Sequence, residues 1–145
     1  MSITNISQKQ PQLRTALAEG SILLLPKTIQ LINQKQIPKG DPLQIAEAAA
    51  LLAIKQTPHL IPHCHPIPIH GAEVSFKMLE QSITCFVKVI SYGMTGVEIE
   101  AITGLSIALC TLWDCLKYLE KNENGEYPYT MIQSIKVTLK EKKDA

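Results

Sequence analysis

The sequence is short of charge, of aromatic residues and above all of arginine. Charged residues make up 19% of its 145 residues and aromatic residues 5%, and Arg14 is the single arginine beside thirteen lysines. The formal net charge is only +1, whereas a nucleic-acid-binding domain usually presents a strongly basic face. We therefore expect no nucleic-acid partner, and any bound anion must be met mainly by lysine, histidine or helix termini. The low charge also suggests that part of the surface is covered by other subunits.

Signals for export and for membrane insertion are missing as well. The polar start at residues 1–12 lacks the apolar core of a signal peptide, and we expect no apolar run to reach the ~20 residues that a bilayer requires. We therefore expect a cytoplasmic protein with no membrane partner, whose four cysteines are reduced thiols. The length suits one domain, residues 1–145, with a flexible N-terminal arm at 1–11 and a tail at 142–145.

Apolar periodicity and turn residues predict an alternation of strands and helices. The strands are expected at 15–25, 67–79, 82–92 and 131–141. The helices are expected at 26–34, 42–56 and 97–121. The short polar gap at 79–81 predicts a hairpin. Helices packed on a mostly antiparallel sheet indicate an α+β fold, and a ferredoxin-like arrangement is the best match.

Several single residues sharpen these boundaries. Gly20 is expected at a bulge in the first strand. Asp41 is a typical N-cap for the second helix, with Pro42 in its first turn. Thr95 and Glu98 have the spacing of a capping box ahead of the third helix. Glu98 would then have a structural role at the helix start.

The densest group of chemically active side chains lies in the segment LIPHCHPIPIH at 60–70, which carries three of the four histidines. Its three prolines exclude helix and predict a rigid, extended connector. Alternation along extended chain places His63 and His65 on one face and Cys64 on the other. Three interpretations remain open: a zinc site, histidines held for acid–base or phosphate contact, and histidines that merely pack. The remaining cysteines do not form the second ligand pair that a structural zinc site usually needs.

The charged residues of the apolar third helix include Glu100, Asp114 and Lys117. Asp114 and Lys117 are three residues apart, so they share a face and can pair, although an ordinary surface ion pair is the alternative. Glu100 lies fourteen residues before Asp114, roughly 21 Å along a helix. The two carboxylates therefore cannot hold one end of one small ligand within a subunit. A site that uses both must be long or must be built from two subunits.

Five motifs, in this order, resemble the MoaC family of cyclic pyranopterin monophosphate synthases. They are PKGD at 38–41, AIKQT at 53–57, LIPHCHP at 60–66, GMTGVEIEA at 93–101 and WDCLK at 113–117. The resemblance extends over nearly the whole chain. It implies a lyase of molybdenum cofactor biosynthesis that converts 3′,8-cyclo-7,8-dihydro-GTP to cyclic pyranopterin monophosphate and pyrophosphate. It also implies a ferredoxin-like subunit and a hexamer, a trimer of dimers, with active sites between subunits.

The resemblance also implies a set of active-site residues. The matching positions are Lys39, Lys55, His65, Glu98, Glu100, Asp114 and Lys117. We expect a buried Lys117 of lowered pKa to act with Asp114 as acid and base, assisted by Lys39. Lys55, His65 and Arg14 would meet the phosphates, and Glu100 would accept N–H groups of the guanine. No cofactor is required by the sequence, and no protein metal ligands are expected, but a pyrophosphate product is compatible with a need for Mg²⁺.

Three departures from the family pattern bear on phosphate binding. Met94 stands where the family commonly has lysine, and His63 replaces a usual apolar residue. The family's glycine- and serine-rich, lysine-bearing C-terminal tail is absent. The alternative function is therefore a catalytically weak, oligomeric family member that acts as a binding or scaffold protein.

Overall fold

The computed structural model describes residues 1–144. In order, these residues form β1 (Gln12–Leu23), α1 (Pro26–Asn33), α2 (Pro42–Leu60), β2 (Gly71–Met78), β3 (Ser82–Gly93), α3 (Glu98–Glu120) and β4 (Met131–Lys143). The sheet has the order β2-β3-β1-β4, and all three strand pairs are antiparallel. This is the ferredoxin-like arrangement, so the predicted fold class is confirmed.

The core lies between one face of the sheet and the helices α2 and α3. Buried residues alternate along β1 and β3 because successive side chains of a strand point to opposite faces. Leucines three or four residues apart place one side of α3 against this face; they are Leu105, Leu109, Leu112 and Leu116, all fully buried. The other side of α3 packs on α2, so α3 is covered from two directions, as its apolar sequence predicts.

The helix α3 is also long and apolar enough to cross a membrane, judged by length and composition alone, with a mean hydropathy of 1.5. The expectation that no apolar run would meet that measure is therefore wrong. Half of the apolar window is buried inside the protein. The core helix of a globular protein has this composition because two layers cover it.

The start of α2 follows the prediction and its end does not. Asp41 caps the helix, since its Oδ1 accepts hydrogen bonds from the backbone N–H of Leu43 at 2.9 Å and of Gln44 at 3.4 Å. The predicted end at residue 56 is wrong, because α2 continues through Pro58 to Leu60. A proline in the last turn removes only one intrahelical hydrogen bond, and the N–H of Ile61 still donates to the carbonyl of Thr57.

The predicted capping box at the start of α3 is wrong. Val97 occupies the N-cap position, and no side chain caps the helix there. Glu98 is the first helical residue, so its carboxylate cannot reach back as a third-position glutamate would. That carboxylate instead meets Lys140 of β4, at 2.7 Å from Nζ to Oε1.

The structure confirms the predicted hairpin and the predicted bulge, but several strands begin or end at residues other than those predicted. In the β2–β3 turn the N–H of Leu79 donates to the carbonyl of Ser82 at 2.8 Å. The register between β1 and β4 shifts between Glu19 and Ser21, which places Gly20 at the bulge. An added Cβ there would lie 3.0 Å from the side chain of Ile135, so glycine suits this position. β2 begins at residue 71 rather than 67, after the prolines. β4 includes residues 142 and 143, which the sequence assigns to a tail, and Ala145 lies outside the described residues.

A buried carboxylate joins the far end of α3 to two other parts of the chain. Glu120 is 3% exposed and accepts hydrogen bonds from the N–H of Leu25 and from the hydroxyls of Thr28 and Thr130. Burying a charge is unfavourable unless such donors satisfy it. This cluster fixes the end of α3 against the start of α1 and the approach to β4.

Candidate functional site

The antiparallel packing of α2 on α3 divides the predicted site residues into two groups. Lys39, just before α2, meets Asp114 near the end of α3. Cys64, just after α2, meets Glu100 near the start of α3. Between them the helices approach closely at Gly104, where an added Cβ would lie 2.6 Å from Cγ1 of Ile54. The two groups therefore lie at opposite ends of one helix pair.

The first group, here called the lysine–aspartate cluster, consists of Lys39, Asp114 and Lys117. The Nζ of Lys117 lies 2.8 Å from Oδ1 of Asp114, and the Nζ of Lys39 lies 3.7 Å from Oδ2. Lys39 also donates a hydrogen bond to the backbone carbonyl of Asp114 at 3.0 Å. The predicted pairing of Asp114 with Lys117 is thus present, and the loop before α2 adds a second ammonium group.

The charge states in the lysine–aspartate cluster follow from these contacts. The hydrogen bond and the charge of Lys117 hold the pKa of Asp114 below its usual value, and Lys39 adds to the effect. The same contact with Asp114 raises the pKa of Lys117. The expectation of a buried Lys117 with a lowered pKa is wrong for the single chain, in which 42% of that side chain is exposed. At neutral pH Lys117 is an ammonium group that can give a proton.

The second group, here called the glutamate cluster, consists of Glu98, Glu100, Cys64, Lys140 and Arg14. Within it Glu100 is 2% exposed, and its Oε1 accepts a hydrogen bond from the thiol of Cys64 at 3.2 Å. Its Oε2 is buried and has no hydrogen-bond partner among the described residues. Burial raises the pKa of Glu100, and the nearby Glu98 raises it further, while the Cys64 thiol and the residue's own backbone N–H lower it.

Glu98 differs from Glu100 because cations surround it. Partial burial raises its pKa, but the hydrogen bond and charge of Lys140, its own backbone N–H and the charge of Arg14 outweigh burial, so the pKa of Glu98 lies below its usual value. Arg14 is held in place by a hydrogen bond from its Nε to the carbonyl of Gly93 at 3.0 Å. Arg14 and Lys140 thus supply positive charge near the start of α3.

The connector at 61–70 carries the two histidines as the alternation predicts. His63 Nδ1 lies 2.7 Å from the carbonyl of Ser2, and His65 Nε2 lies 2.7 Å from the carbonyl of Thr4. Cys64 faces the other way, toward Glu100. The N-terminal arm therefore covers the histidine face of the connector.

Beside this contact lies a cavity of about 720 Å³. Three segments line it: residues 3–7 and Pro11 of the arm, residues 65–68 of the connector, and residues 92–94 at the end of β3. His65 and Met94 both line this space. The cavity adjoins the glutamate cluster through Gly93, whose carbonyl holds Arg14.

Lys55 lies on the exposed side of α2, one residue after Ile54, which packs on Gly104. It therefore belongs to neither cluster within the chain. Among residues 1–144, no group of three or more histidine, cysteine, aspartate or glutamate side chains is placed to hold a metal ion. His63, Cys64 and His65, the core of the zinc interpretation, face different partners.

Two members of the glutamate cluster do not appear among the residues expected from the sequence. Cys64 was considered only as a possible zinc ligand, yet its thiol is the partner of Glu100. Lys140 lies in a lysine-rich end that resembles a solvated tail, yet it pairs with Glu98. The alternation of β4 was the available signal for Lys140, but its register against β1 includes two bulges that the sequence does not display.

Comparison with known proteins shows which family of proteins this chain is similar to. The profile described as the MoaC family matches residues 3–143. A protein of Pyrococcus abyssi named as a probable cyclic pyranopterin monophosphate synthase is 45% identical over 140 residues, which cover 97% of this chain and 88% of that protein. A protein of Methanopyrus kandleri with the same name is 43% identical, covering 97% and 92% of the two chains. A protein of Methanothermobacter thermautotrophicus, 47% identical with 97% and 88% coverage, is named as a probable accessory protein of that synthase.

Proposed function

The chain belongs to the MoaC family, and from that membership we propose that it is a cyclic pyranopterin monophosphate synthase of molybdenum cofactor biosynthesis. It is a lyase that converts 3′,8-cyclo-7,8-dihydro-GTP to cyclic pyranopterin monophosphate and pyrophosphate. One observation connects this assignment with specific residues. The ammonium groups of Lys39 and Lys117 both contact the carboxylate of Asp114. A ferredoxin-like fold alone would not indicate the reaction.

The chemistry requires two kinds of help from the protein. The guanine ring is opened and rebuilt as a pterin, which needs several proton transfers near neutral pH. A hydroxyl oxygen of the substrate then bonds to the α-phosphorus while the bond to the leaving pyrophosphate breaks, so a proton must be taken up and negative charge must be stabilised. Acid–base groups and cations are both present in the two clusters.

The lysine–aspartate cluster is suited to proton transfer. Lys117 is protonated because Asp114 raises its pKa, so it is proposed as the proton donor. Asp114, ionised because its pKa is lowered, holds both ammonium groups in place and serves as the base. Lys39 lies on the opposite side of the same carboxylate and is proposed to assist by stabilising developing negative charge.

The glutamate cluster is suited to recognition of the substrate. Glu100 is proposed to accept N–H groups of the guanine-derived ring through its unpartnered oxygen. His65, Lys55, Arg14 and Glu98 are proposed as the remaining binding residues. Of these, His65 lines the neighbouring cavity, and Arg14 and Lys140 supply positive charge beside Glu98.

The active site is proposed to form between subunits of a hexamer, a trimer of dimers. The two clusters are separated along α3 by roughly 21 Å, the rise of fourteen residues, so one chain cannot close both around one nucleotide-sized substrate. Large apolar side chains on the outer faces of the helices remain exposed and are available for contacts between subunits; they are Leu52, Ile107 and Tyr118. A partner's second cluster would complete each site.

We further propose a cytoplasmic location and a reaction that needs no resident cofactor. The four cysteines are free thiols in the described structure, which suits a reducing compartment. The described residues offer no protein cage for a metal. A Mg²⁺ ion used in the reaction would therefore bind through the phosphate oxygens of the substrate and through water.

The test is to incubate the purified protein with 3′,8-cyclo-7,8-dihydro-GTP and to measure cyclic pyranopterin monophosphate and pyrophosphate, with and without Mg²⁺ and EDTA. Lys39→Met and Asp114→Asn are expected to lower kcat about 100-fold or more. Glu19→Gln is the matched control, because the partly buried Glu19 forms an ion pair with the exposed Lys136 at 3.7 Å on the sheet and belongs to neither cluster. It should leave kcat unchanged.

The second candidate is an oligomeric binding or scaffold protein, which is favoured by the accessory-protein name of one relative and by the loss of a cation at Met94. Binding of the substrate without turnover by the unaltered protein would favour this candidate. Absence of both binding and turnover would overturn the assignment.

A further inference from the structure

The cysteine of the connector and the buried glutamate of α3 form a pair that the proposed chemistry leaves unexplained. Glu100 is 2% exposed, and one of its oxygens, Oε1, accepts a hydrogen bond from the Cys64 thiol at 3.2 Å. The other, Oε2, is buried without a partner among the described residues. Buried polar atoms are nearly always hydrogen-bonded, so the unpartnered Oε2 is available to a donor that a bound ligand would supply.

The position of Cys64 is fixed by the backbone around it. The N–H of Cys64 donates to the carbonyl of Ile61 at 3.0 Å, closing a turn directly after α2. Prolines at 62 and 66 flank this turn and restrict its backbone. The thiol therefore reaches Glu100 from a rigid segment rather than from a mobile loop.

The thiol is a hydrogen-bond donor at neutral pH and not a nucleophile. Burial raises the pKa of Cys64 to about 12, with the hydrogen bond and the charge of Glu100 as further causes. A protonated thiol has one hydrogen to give, and in this structure it is directed at Oε1 of Glu100. The Cys64 thiol therefore stays protonated at neutral pH, and its hydrogen bond to Glu100 fixes its orientation.

We propose that Cys64 is a positioning residue for Glu100: its thiol holds Oε1 and thereby aims Oε2 at the N–H groups of the guanine-derived ring. This inference rests on the proposed function and deepens it, since it says how the recognition residue is held. In this proposal Cys64 acts through Glu100. It acts by fixing the carboxyl group's orientation and by favouring its charged, accepting form.

The groups around Glu100 determine whether its pKa should rise or fall when the Cys64 thiol is removed. Cys64 on the connector donates to Glu100 and lowers its pKa, whereas the charge of Glu98 on the same helix raises it. Lys140 of β4 and Arg14 of β1 act on Glu98. Removing the thiol donor removes one stabilising contact of the charged form, so the pKa of Glu100 should rise.

The first experiment needs no substrate. The carboxyl stretch of Glu100 is followed by infrared difference spectroscopy against pH in the otherwise unaltered full chain, with Glu100→Gln to assign the band. Cys64→Val, which fills the space but has no donor, should raise the midpoint by about 0.5–1 pH unit, the size of one hydrogen-bond contribution. Cys64→Ser, which keeps a donor, should stay nearer to the original midpoint. If Cys64→Val does not fold, Cys64→Ala replaces it.

Cys85→Val is the matched control. Cys85 is another buried thiol, in β3, whose pKa burial also raises to about 12. Its substitution should leave the Glu100 midpoint unchanged. Equal midpoints in the unaltered protein and in Cys64→Val would overturn the proposal, as would equal shifts in Cys64→Val and Cys85→Val.

The second experiment measures turnover of 3′,8-cyclo-7,8-dihydro-GTP against pH. Cys64→Val should raise KM about tenfold or more and move the acidic limb of the kcat/KM profile upward, whereas Cys64→Ser should remain within about threefold of the unaltered protein. A fall in kcat alone, with an unmoved profile, would overturn the positioning role. Because the infrared titration requires no catalysis, an inactive unaltered protein would overturn the proposed function and leave the Cys64–Glu100 pair testable.

Discussion

Two carboxylates at the start of α3, only two residues apart, have opposite electrostatic surroundings. Glu98 points toward Lys140 and Arg14, which lower its pKa against the effect of partial burial. Glu100 points into the interior, where burial raises its pKa and a thiol is its side-chain partner. At residue scale, the direction of each side chain decides whether the carboxylate forms an ion pair or is buried beside a thiol.

Substitution of Lys140 by methionine tests the Glu98 ion pair. A carboxyl group whose pKa is lowered by folding stabilises the protein above its unfolded pKa, and that contribution disappears as the pH falls through the folded pKa. Lys140→Met should therefore lower the free energy of unfolding at pH 7 by about 0.2–1 kcal/mol. The difference should shrink below the usual glutamate value of 4.5. Urea unfolding at several pH values measures it.

Lys142→Met is the control for Lys140→Met, since Lys142 lies two residues further along the same strand at an exposed position. It should show no such pH-dependent difference. A loss of stability for Lys140→Met that is equally large at pH 7 and at pH 3 would contradict the ion-pair explanation.

Substitution of Asp114 by asparagine tests the charge state of Lys117. Because contact with Asp114 raises the pKa of Lys117, loss of that carboxylate should lower the pKa of Lys117 toward its usual value. NMR titration of ¹³C-labelled lysine side chains would show this change. An unchanged Lys117 titration in Asp114→Asn would mean that the two groups do not interact in solution.

At the scale of elements, the contact of α2 with α3 brings Lys39 to Asp114 and Cys64 to Glu100. Small side chains let the two helices approach, and Gly104 is the tightest point, with an added Cβ at 2.6 Å from Ile54 and 3.3 Å from the carbonyl of Ala50. The loop before α2 and the connector after it are thereby brought to opposite ends of α3. The Lys39–Asp114 and Cys64–Glu100 contacts both depend on this packing.

A double-mutant cycle tests this contact. Gly104→Ala should destabilise the protein by about 0.5–2 kcal/mol, because the steric overlap raises the free energy of the folded state by more than the higher helix propensity of alanine lowers it. In an Ile54→Ala background the same change should be neutral or stabilising, since the clashing atoms are gone. Midpoints of urea unfolding provide the measurement. Equal effects of Gly104→Ala in both backgrounds would show that the helices adjust without cost.

At the scale of the whole molecule, the arrangement of the clusters predicts shared active sites. If the lysine–aspartate cluster of one subunit works with the glutamate cluster of another, two inactive variants can complement each other. Hexamers assembled from equal amounts of Glu100→Gln and Asp114→Asn chains should recover about a quarter of full activity, the fraction of sites that combine two intact clusters. Steady-state assays after co-expression or joint refolding measure this recovery.

Two controls accompany the complementation test. Each variant assembled alone should remain inactive. Chains carrying both substitutions, mixed with unaltered chains, should also give about a quarter of full activity, because the same random pairing applies. Failure of the two single variants to complement, with mixed hexamers demonstrated by mass spectrometry, would contradict sharing between subunits.

The sequence predicted the elements better than their ends. Period and turn residues predicted the strands, the helices, the β2–β3 hairpin, the Asp41 cap and the Gly20 bulge, because each depends on neighbours within a few residues. The end of α2 and the start of α3 were misplaced. A proline in a last turn costs little, and a glutamate in a capping-box pattern can find a better partner on another strand, as Glu98 does with Lys140.

The sequence by itself determined the fold class, the family and the Asp114–Lys117 pair, because periodicity, motif order and helical spacing are local properties of the chain. Only the tertiary structure decided that Lys39 joins that pair, that Cys64 holds Glu100 and that Lys140 meets Glu98. It also decided that Lys117 is exposed with a raised pKa in the single chain. These three contacts join residues 36 to 75 positions apart in different elements. They depend on burial and strand register, which the local sequence does not encode.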